Sequence, residues 1–376
     1  MPEKTNTLII GGGIIGLLTA RELAISGQTV TILEKNAGVG QESSWAGGGI
    51  LSPLYPWRYP DAVTELAVIG HKEYPKLAAD LLEATGIDPE YVRSGHLILD
   101  TDEYKQAKSW AKAFSKQIAL NKNTKFLERI GRRELSLIEP ELSENYASAL
   151  WMPMIGQIRN PRLIQSLIKD LLMRGVKIIR GAAVKNFYSE NGKVVYVETA
   201  NAKWSADNYL VAAGAWTSTL LSDTGLSLDI EPVRGQMILF RAPPDKLHRI
   251  ILNNSKYLIP RRDGHILAGS TMEYVGFENL TTDSGYQELW SAAVAIAPFL
   301  KNTPVVNHWA GLRPGSSNGI PTIDRHPDLD NLIICSGHFR NGVIIGLGSA
   351  RIAAGLLTGS KLPTSESLTD NPYRVM

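Results

Sequence analysis

The stretch Thr7-Leu8-Ile9-Ile10-Gly11-Gly12-Gly13-Ile14-Ile15-Gly16 decides the fold of this chain. Its first four residues are apolar and largely β-branched, which is typical of a strand buried on both faces of a parallel sheet. Residues 14–26 carry the spacing of a helix that ends at Gly27. A second apolar run, Thr29–Leu33, predicts the next strand. The sequence therefore predicts a compact β-α-β unit at its N-terminus.

The glycines of this unit predict a dinucleotide site. Gly11 permits a tight turn, Gly13 lets backbone amides approach a pyrophosphate, and Gly16 lets the helix pack against the sheet. Glu34 ends the second strand roughly 20 residues after Gly11, where an acid accepts hydrogen bonds from ribose hydroxyls. Its charge would repel a 2′-phosphate, which disfavours NADP. The pattern leaves FAD or NAD, against the alternative of a tight turn without a ligand.

The rest of the chain predicts further α/β elements around an antiparallel region. Asp61–Thr85 has helical spacing, and Tyr209–Gly214 repeats the pattern of a buried strand followed by glycine. Leu332–Cys335 predicts another buried strand before a loop and a last helix. Between Val233 and Thr271 the strands are short and alternating, which favours an antiparallel sheet. The polar tail after Thr358 is predicted to be frayed.

Charge and composition exclude several classes of function. The 376 residues include 39 Lys and Arg and 37 Asp and Glu, so the formal net charge is only +2. Nucleic acids and anionic membranes attract densely basic surfaces, so neither is expected as a partner. No apolar stretch reaches the ~18 residues of a transmembrane helix. The run Leu8–Leu18 is broken by glycines and is no signal peptide, so we expect a cytoplasmic protein.

Cysteine and histidine usage argues against disulfides and metals. Cys335 is the single cysteine of the sequence, and the histidines show no metal-ligand spacing. We expect Cys335 to be a small buried residue of its strand. No metal site is predicted.

Three later segments narrow the function: Trp309-Ala310-Gly311-Leu312-Arg313-Pro314, Tyr257-Leu258-Ile259-Pro260-Arg261 and Gly337-His338-Phe339-Arg340-Asn341-Gly342. Together with residues 5–35 they closely resemble the FAD-dependent D-amino-acid oxidase family, in particular its bacterial glycine-oxidising branch, which serves thiamine biosynthesis. The resemblance extends from Leu8 to about Leu357 in matching order. It implies bound FAD. Some relatives attach the flavin through a cysteine, but Cys335 falls inside a strand, so we expect FAD to be bound non-covalently. The resemblance also implies a homo-oligomer, namely a tetramer.

The resemblance also implies the domain organisation. The expected fold class is α/β, with a Rossmann-like FAD-binding domain of the glutathione-reductase type and a second α+β substrate domain on an antiparallel sheet. The FAD-binding domain would comprise residues 1–84, 145–226 and 305–376, and the substrate domain residues 85–144 and 227–304.

The residues that would bind FAD follow from the same resemblance. They lie in the glycine turn, at the end of the second strand, in the glycine-rich loop after it, at a later strand start, in the turn after the buried strand 209–213, and in the loop before the last helix. The family has a larger residue at the position of Gly49, which bears on the shape of the pocket roof. The implied FAD-binding residues are Gly11, Gly13, Ile14, Ile15, Gly16, Glu34, Lys35, Glu42, Ser43, Gly47, Gly48, Gly49, Val184, Gly214, His338, Phe339, Arg340, Asn341, Gly342, Val343 and Ile344.

Four residues would form the substrate site. Arg313 would grip a carboxylate through two parallel hydrogen bonds. By the resemblance, Tyr257 would add a hydroxyl to the same carboxylate, Arg340 a second cation, and Met272 an apolar wall. Each has a plainer alternative, since an arginine can form a surface ion pair, a strand tyrosine can be core, and a methionine can fill a gap.

The implied activity is oxidative deamination of glycine, sarcosine, D-alanine and D-proline by hydride transfer to flavin N5. Oxygen would accept the electrons, giving H2O2, and the glycine imine would supply the thiazole of thiamine. A neutral amine can release hydride directly, so no strong general base is expected. Three alternatives stay open: a D-amino-acid dehydrogenase that passes electrons to quinone, a non-catalytic dinucleotide-binding module, and an NAD-dependent dehydrogenase.

Overall fold

A computed structural model describes residues 5–121, 123–360 and 371–375. The helices are α1 (Ile14–Ile25), α2 (Ser43–Ala46), α3 (Asp61–Thr85), α4 (Tyr104–Gln117), α5 (Arg132–Ile138), α6 (Asn160–Met173), α7 (Thr217–Leu221), α8 (Asp283–Ile296) and α9 (Gly346–Thr358). The strands are β1 (Thr5–Ile10), β2 (Val30–Glu34), β3 (His96–Leu99), β4 (Glu128–Gly131), β5 (Ser148–Met152), β6 (Lys177–Arg180), β7 (Val184–Glu190), β8 (Lys193–Thr199), β9 (Lys203–Trp204), β10 (Ala206–Val211), β11 (Ile230–Arg241), β12 (Ile250–Asn253), β13 (Lys256–Pro260), β14 (His265–Gly269), β15 (Val305–Ser316), β16 (Thr322–His326) and β17 (Leu329–Ser336).

The N-terminal unit lies at the centre of a mostly parallel sheet. Within the described residues this sheet has six strands in the order β16-β17-β10-β1-β2-β6. The pairs from β17 to β6 are parallel, and β16 adds an antiparallel edge. Helices α1, α3, α6 and α9 pack together beside it. The apolar residues of β1 and β2 are buried, as the predicted two-sided sheet requires.

A second, mostly antiparallel sheet carries the strands between Val233 and Thr271. In the described chain it has eight strands in the order β15-β11-β14-β13-β12-β3-β5-β4. The long strands β11 and β15 pair in a register that sets Val233 opposite Arg313 and Gly235 opposite Gly311. The predicted α/β architecture with a separate antiparallel sheet is confirmed. Chain segments β7 to β9 form a small third sheet.

The predicted domain boundaries differ from the sheet membership at two strands. The division assigns both β5 and β15 to the FAD-binding part, whereas both strands pair within the antiparallel sheet. An amphipathic strand does not reveal from its own sequence which sheet supplies its partner. The division into two domains remains a prediction.

The end of the chain is partly docked. Of the predicted frayed tail, residues 361–370 lie outside the described residues. Beyond them Tyr373 is buried, its hydroxyl donates to the Ala62 carbonyl at 2.9 Å, and its carbonyl accepts from the Ile323 amide at 2.7 Å. Contrary to the prediction, this last segment therefore packs at the start of α3. None of the helices in the described part of the chain has the length and apolar character needed to cross a bilayer.

Candidate active site

The turn between β1 and α1 is built for a close backbone approach. Gly11 has a φ of +113°, and a Cβ there would lie 2.3 Å from the Ala212 carbonyl oxygen. A Cβ on Gly16 would lie 2.1 Å from the Gly11 carbonyl oxygen. Both positions therefore require glycine. The turn brings the N-terminus of α1, with its partial positive charge, to the cavity described below.

Glu34 closes this turn from the end of β2. Its carboxylate is buried and accepts the backbone N–H groups of Gly12 at 2.9 Å and Asn36 at 2.8 Å. A carboxylate has about four lone-pair sites, so it can also accept from a ribose hydroxyl. The predicted acid thus lines the cavity with acceptor sites to spare, and its bond to an adenosine ribose remains a prediction.

Lys35 and Trp216 form a clamp next to Glu34. The Lys35 Nζ lies 3.0 Å from the centroid of the Trp216 ring and 3.0 Å from a Glu42 carboxylate oxygen. A cation on an indole face is held there by electrostatic attraction, and both residues line the cavity. Sequence reasoning missed Trp216, because an indole beside a short helix is more often part of a core.

The loop 47–49 lies against β13 and residues 158–160 and is fixed by a buried arginine. Arg261 donates from Nη2 to the Gly48 carbonyl at 2.7 Å and from Nη1 to Gln157 Oε1 at 2.7 Å. Burial, with Arg159 nearby, lowers the pKa of Arg261 to about 10. Gly49 has a φ of +71°, and a Cβ there would lie 2.0 Å from the Ile158 carbonyl oxygen. The backbone of this chain thus requires the glycine at which it departs from the family.

The loop 337–345 follows β17 and leads into α9. The Phe339 amide donates to the Pro314 carbonyl at 2.9 Å, which ties the loop to β15. His338 is buried, and this burial lowers its pKa to about 3, so the imidazole is neutral at pH 7. Within the described residues the buried Asn341 Nδ2 has no hydrogen-bond partner. A donor left unpaired beside a cavity points to a ligand acceptor.

Arg313 lies on β15 at the other end of the cavity. Its guanidinium lies against the Gly235 backbone, where a Cβ would come within 2.0 Å of Nη2. Nη1 donates to the carbonyls of Thr271 at 3.2 Å and Arg234 at 3.4 Å. Burial lowers the pKa of Arg313, the neighbouring Tyr257 hydroxyl opposes that shift, and Arg340 adds to it. A guanidinium stays charged even so.

Tyr257 and Arg340 converge on the same end. Tyr257 is buried on β13, and its hydroxyl lies 3.8 Å from the Met237 sulfur. Arg340 lines the same cavity as Arg313 and Tyr257, and its charge adds to the effect of burial in lowering the pKa of Arg313. The structure therefore brings three of the four predicted substrate residues together. Met272 is 50% exposed and is not among the described residues that line the cavity, whereas Met237 is.

A continuous cavity of about 480 Å³ joins the two ends. Two predicted residues, Gly16 and Ile344, are not among the described residues that line the cavity. Gly16 packs against the Gly11 carbonyl in the turn, and Ile344 is buried in the loop before α9. Cys335 is buried as predicted but also reaches the cavity wall, with its sulfur 4.0 Å from His338 Nε2, and burial raises the pKa of its thiol. The predicted residues that line the cavity are Gly11, Gly13, Ile14, Ile15, Glu34, Lys35, Glu42, Ser43, Gly47, Gly48, Gly49, Val184, Gly214, Tyr257, Arg313, His338, Phe339, Arg340, Asn341, Gly342 and Val343.

Comparison with known proteins decides the family. The family model of the FAD-dependent oxidoreductases (DAO) matches residues 6–356. The chain belongs to this family of FAD-dependent oxidoreductases. It is 42% identical to a glycine oxidase of Pseudomonas aeruginosa over 94% of both chains. It is 29% identical to the bifunctional protein ThiO/ThiG of Synechocystis over 96% of its own length and 53% of that protein.

A solved structure agrees with the sequence comparison. The crystal structure of glycine oxidase from Geobacillus kaustophilus superposes with a TM-score of 0.90 at 27% identity, covering 99% of this chain and 98% of that one. The predicted resemblance and fold class are therefore confirmed.

The cavity of this FAD-dependent oxidoreductase fits its cofactor. The glycine turn and α1 would hold the pyrophosphate, Glu34 the ribose, and the Lys35–Trp216 clamp the adenine side. The loops 47–49 and 337–345 would hold the flavin, with Asn341 Nδ2 and the buried, unpartnered Asn160 Oδ1 available to it among the described polar atoms. The identity of the cofactor as FAD excludes the NAD alternative.

Ser44 and Asn160 also line the cavity, and sequence reasoning missed both. The Ser44 hydroxyl accepts the Ile14 amide at 2.8 Å, and Asn160 Nδ2 donates to the Ser44 carbonyl at 2.8 Å. Both contacts join segments distant in sequence, so no local pattern could have indicated them.

Proposed function

We propose that this chain oxidises glycine and other small amines and D-amino acids, such as sarcosine, D-alanine and D-proline. The products would be the imine or 2-oxo acid, ammonia or an amine, and H2O2. The glycine imine would then serve as a precursor of the thiazole of thiamine.

The observation that carries the proposal is the buried guanidinium of Arg313 at the end of the FAD cavity. Its Nη1 is engaged by two backbone carbonyls. Since a guanidinium has five N–H donors, others remain for two parallel bonds to a carboxylate. The Tyr257 hydroxyl and the Arg340 charge lie beside it. Such a site binds an α-carboxylate and leaves the α-carbon to face the cofactor.

FAD, when bound, supplies a two-electron acceptor for the α-hydride and returns those electrons to oxygen as H2O2. The residues of the chain provide position and charge. With the carboxylate fixed, one hydrogen of the α-carbon points along the cavity, so one enantiomer reacts. The resemblance assigns the D form, and glycine fits the same pose because it carries a hydrogen on either side.

The site does not require a strong base. His338 is neutral at pH 7, because burial lowers its pKa to about 3. A substrate amine that arrives neutral can lose its α-hydride directly, and the imine hydrolyses after release. We expect activity to rise with pH as more of the substrate amine loses its proton.

The relatives support the substrate and the pathway. The Pseudomonas aeruginosa relative is a glycine oxidase, and the Synechocystis relative joins a similar segment to ThiG in one chain. Non-covalent FAD agrees with the raised pKa of the buried Cys335 thiol, since attachment needs a thiolate. A cytoplasmic location and a homotetramer remain predictions from the resemblance.

The test is a substrate panel on the purified holoenzyme, with oxygen uptake and peroxide measured together. We expect glycine, sarcosine, D-alanine and D-proline to consume oxygen, and L-alanine and bulky D-amino acids to do so poorly. Anaerobic bleaching of the flavin by glycine with slow oxygen uptake and fast quinone reduction would indicate a dehydrogenase. No bleaching by any panel member would indicate a non-catalytic module.

A further inference from the structure

The guanidinium of Arg313 rests on a support that consists of backbone. One face lies against Gly235, where even a methyl group would overlap it, and Nη1 donates to the carbonyls of Thr271 and Arg234. Gly235 and Arg234 belong to β11, but Thr271 belongs to the segment that follows β14. The orientation of Arg313 therefore depends on how this segment lies against β11.

An ion pair fixes that segment. Arg234 is 4% exposed, and its Nη2 and Nε lie 2.5 and 3.1 Å from Glu273 Oε2. The backbones of the two residues exchange N–H···O bonds of 2.9 and 3.0 Å. The other carboxylate oxygen, Oε1, accepts from Gln236 Nε2 at 2.8 Å and from the Thr271 hydroxyl. Glu273 thus forms hydrogen bonds with Arg234 and Thr271, the two residues whose carbonyls accept hydrogen bonds from Arg313.

We propose that Glu273 is a positioning residue for substrate binding, which keeps Arg313 aimed at the substrate carboxylate through Arg234 and Thr271. This inference rests on the proposed function, in which Arg313 binds that carboxylate. Buried ion pairs do not by themselves increase stability greatly, but they fix geometry where their removal would leave a buried charge unpaired. A guanidinium displaced by about 1 Å can lower catalytic efficiency about hundredfold.

Simple electrostatics predicts the opposite sign. Burial lowers the pKa of Arg313, and the negative charge of Glu273 acts in the opposite direction. Removing that charge would, by Coulomb attraction alone, strengthen the binding of an anionic substrate. Other charges lie nearby: Arg340 acts on Arg313, Lys256 Nζ donates to the Ser270 carbonyl at 3.1 Å, and Glu278 Oε1 lies 3.6 Å from Arg234 Nη1 as a second acid. If removal of the Glu273 charge weakens the binding of an anionic substrate, Glu273 acts by positioning Arg313; if removal strengthens binding, Glu273 acts only through its charge.

The experiment measures the dissociation constant of glycolate, a carboxylate of the size of glycine, from the change in flavin absorbance of the holoenzyme. The variants are Glu273→Gln and Glu273→Asp. Asp170→Asn is the control in another part of the fold, because Asp170 forms ion pairs with Arg21 at 3.0 Å, between α6 and α1, and with Arg174 at 2.9 Å; its side chain is 3% exposed, against 25% for Glu273. Arg313→Ala is the reference for loss of the anchor. The Michaelis constant for glycine, kcat, flavin content and thermal stability are recorded alongside.

We expect Glu273→Gln to weaken glycolate binding about 10- to 100-fold and to raise the Michaelis constant for glycine in parallel, with unchanged flavin content. Glu273→Asp keeps the charge but shortens the side chain, and should weaken binding by a smaller factor; it serves as the test if the glutamine variant does not fold. Asp170→Asn should lower thermal stability and leave glycolate binding unchanged.

Unchanged or tighter glycolate binding in both Glu273 variants would overturn the inference if Arg313→Ala still abolishes binding. If Arg313→Ala binds glycolate normally, the anchor assignment, and with it the proposed function, fails instead. Equal weakening by Asp170→Asn would show a general stability effect and would also overturn the inference.

Discussion

The two ends of the cavity are built in different ways. The dinucleotide end consists largely of backbone from one continuous segment: the glycine turn, the start of α1 and the end of β2. The substrate end consists of side chains from β11, β13, β15 and the loop 337–345, which are far apart in sequence. At the first end the missing side chains of glycines make the site, whereas at the second the charged side chains make it. The dinucleotide end can therefore be predicted from local sequence, whereas the substrate end can be identified only once the fold is known.

The largest expected effect is at the dinucleotide end. Gly11→Ala would place a methyl group 2.3 Å from the Ala212 carbonyl oxygen at a φ of +113°. We expect protein that is insoluble or free of FAD, measured as the ratio of flavin to protein absorbance. Gly27→Ala is the control, because Gly27 also has a positive φ, but a Cβ there meets no described atom within 4 Å. It should lose about 1 kcal/mol of stability and keep its FAD. Equal FAD content in the two variants would contradict the backbone account.

Replacing a glycine at the substrate end should impair substrate binding, in contrast to the loss of FAD that we expect from Gly11→Ala. Gly235→Ala would place a methyl group 2.0 Å from Arg313 Nη2, and the flexible side chain would have to move. We expect the Michaelis constant for glycine to rise about hundredfold, with FAD content unchanged. Loss of FAD with normal glycine binding would break the comparison between the two ends.

Acid should also destabilise the folded protein through a buried histidine of the antiparallel sheet. His96 on β3 is fully buried, and neither of its ring nitrogens has a partner among the described residues. Burial lowers its pKa to about 3, so the unfolded chain takes up the proton first and stability falls as the pH drops below about 6.5.

Between pH 7 and 5 this histidine should cost about 2 kcal/mol of unfolding free energy, measured by urea titration. A His96→Leu variant should lose that part of the pH dependence. An identical pH slope in wild type and variant would show that His96 takes up no proton on unfolding in this range.

A smaller effect is expected on substrate selectivity, which should change in a variant of Met237 but not in a variant of Met272. Met237 lies beside Tyr257 in the cavity, whereas Met272 is 50% exposed. Met237→Ala should raise kcat/KM for bulkier D-amino acids relative to glycine by at least about tenfold, because a single methylene in a hydrophobic pocket already changes selectivity by about 1–3 kcal/mol. Met272→Ala, the matched control, should leave the ratio unchanged. The reverse result would restore Met272 as the wall that the resemblance implied.

The fold was largely predictable, since its signals are local. Residues 7–34 show strand, glycine turn, helix and strand in order, and helix α3 has the predicted bounds. Features with distant partners could not be predicted: the sequences of β5 and β15 do not indicate which sheet they join, and that of Tyr373 does not indicate that it packs at Ala62.

The site was predictable only in part for the same reason. Arg313 and Tyr257 were identified through whole motifs, not through their own surroundings. Gly235, Glu273 and Arg261 act through contacts to residues far along the chain, and each looks ordinary in its own strand or loop. The register of β11 and β15 sets Gly235 beside Arg313, whereas the contacts of Glu273 and Arg261 depend on loops that the three-dimensional structure brings against β11 and residues 48 and 157.

The central claim is that Arg313 binds the carboxylate of the substrate. The direct measurement is the Michaelis constant for glycine in Arg313→Ala, with FAD affinity measured on the same protein. Arg262→Ala is the control, because Arg262 lies just after β13 with its side chain 53% exposed and paired with Asp88. Charge-assisted bonds contribute about 1.5–3 kcal/mol each, so losing two should raise the constant at least about hundredfold in Arg313→Ala, with FAD affinity unchanged and no change in Arg262→Ala. A Michaelis constant for glycine equal to that of the wild type would contradict the account.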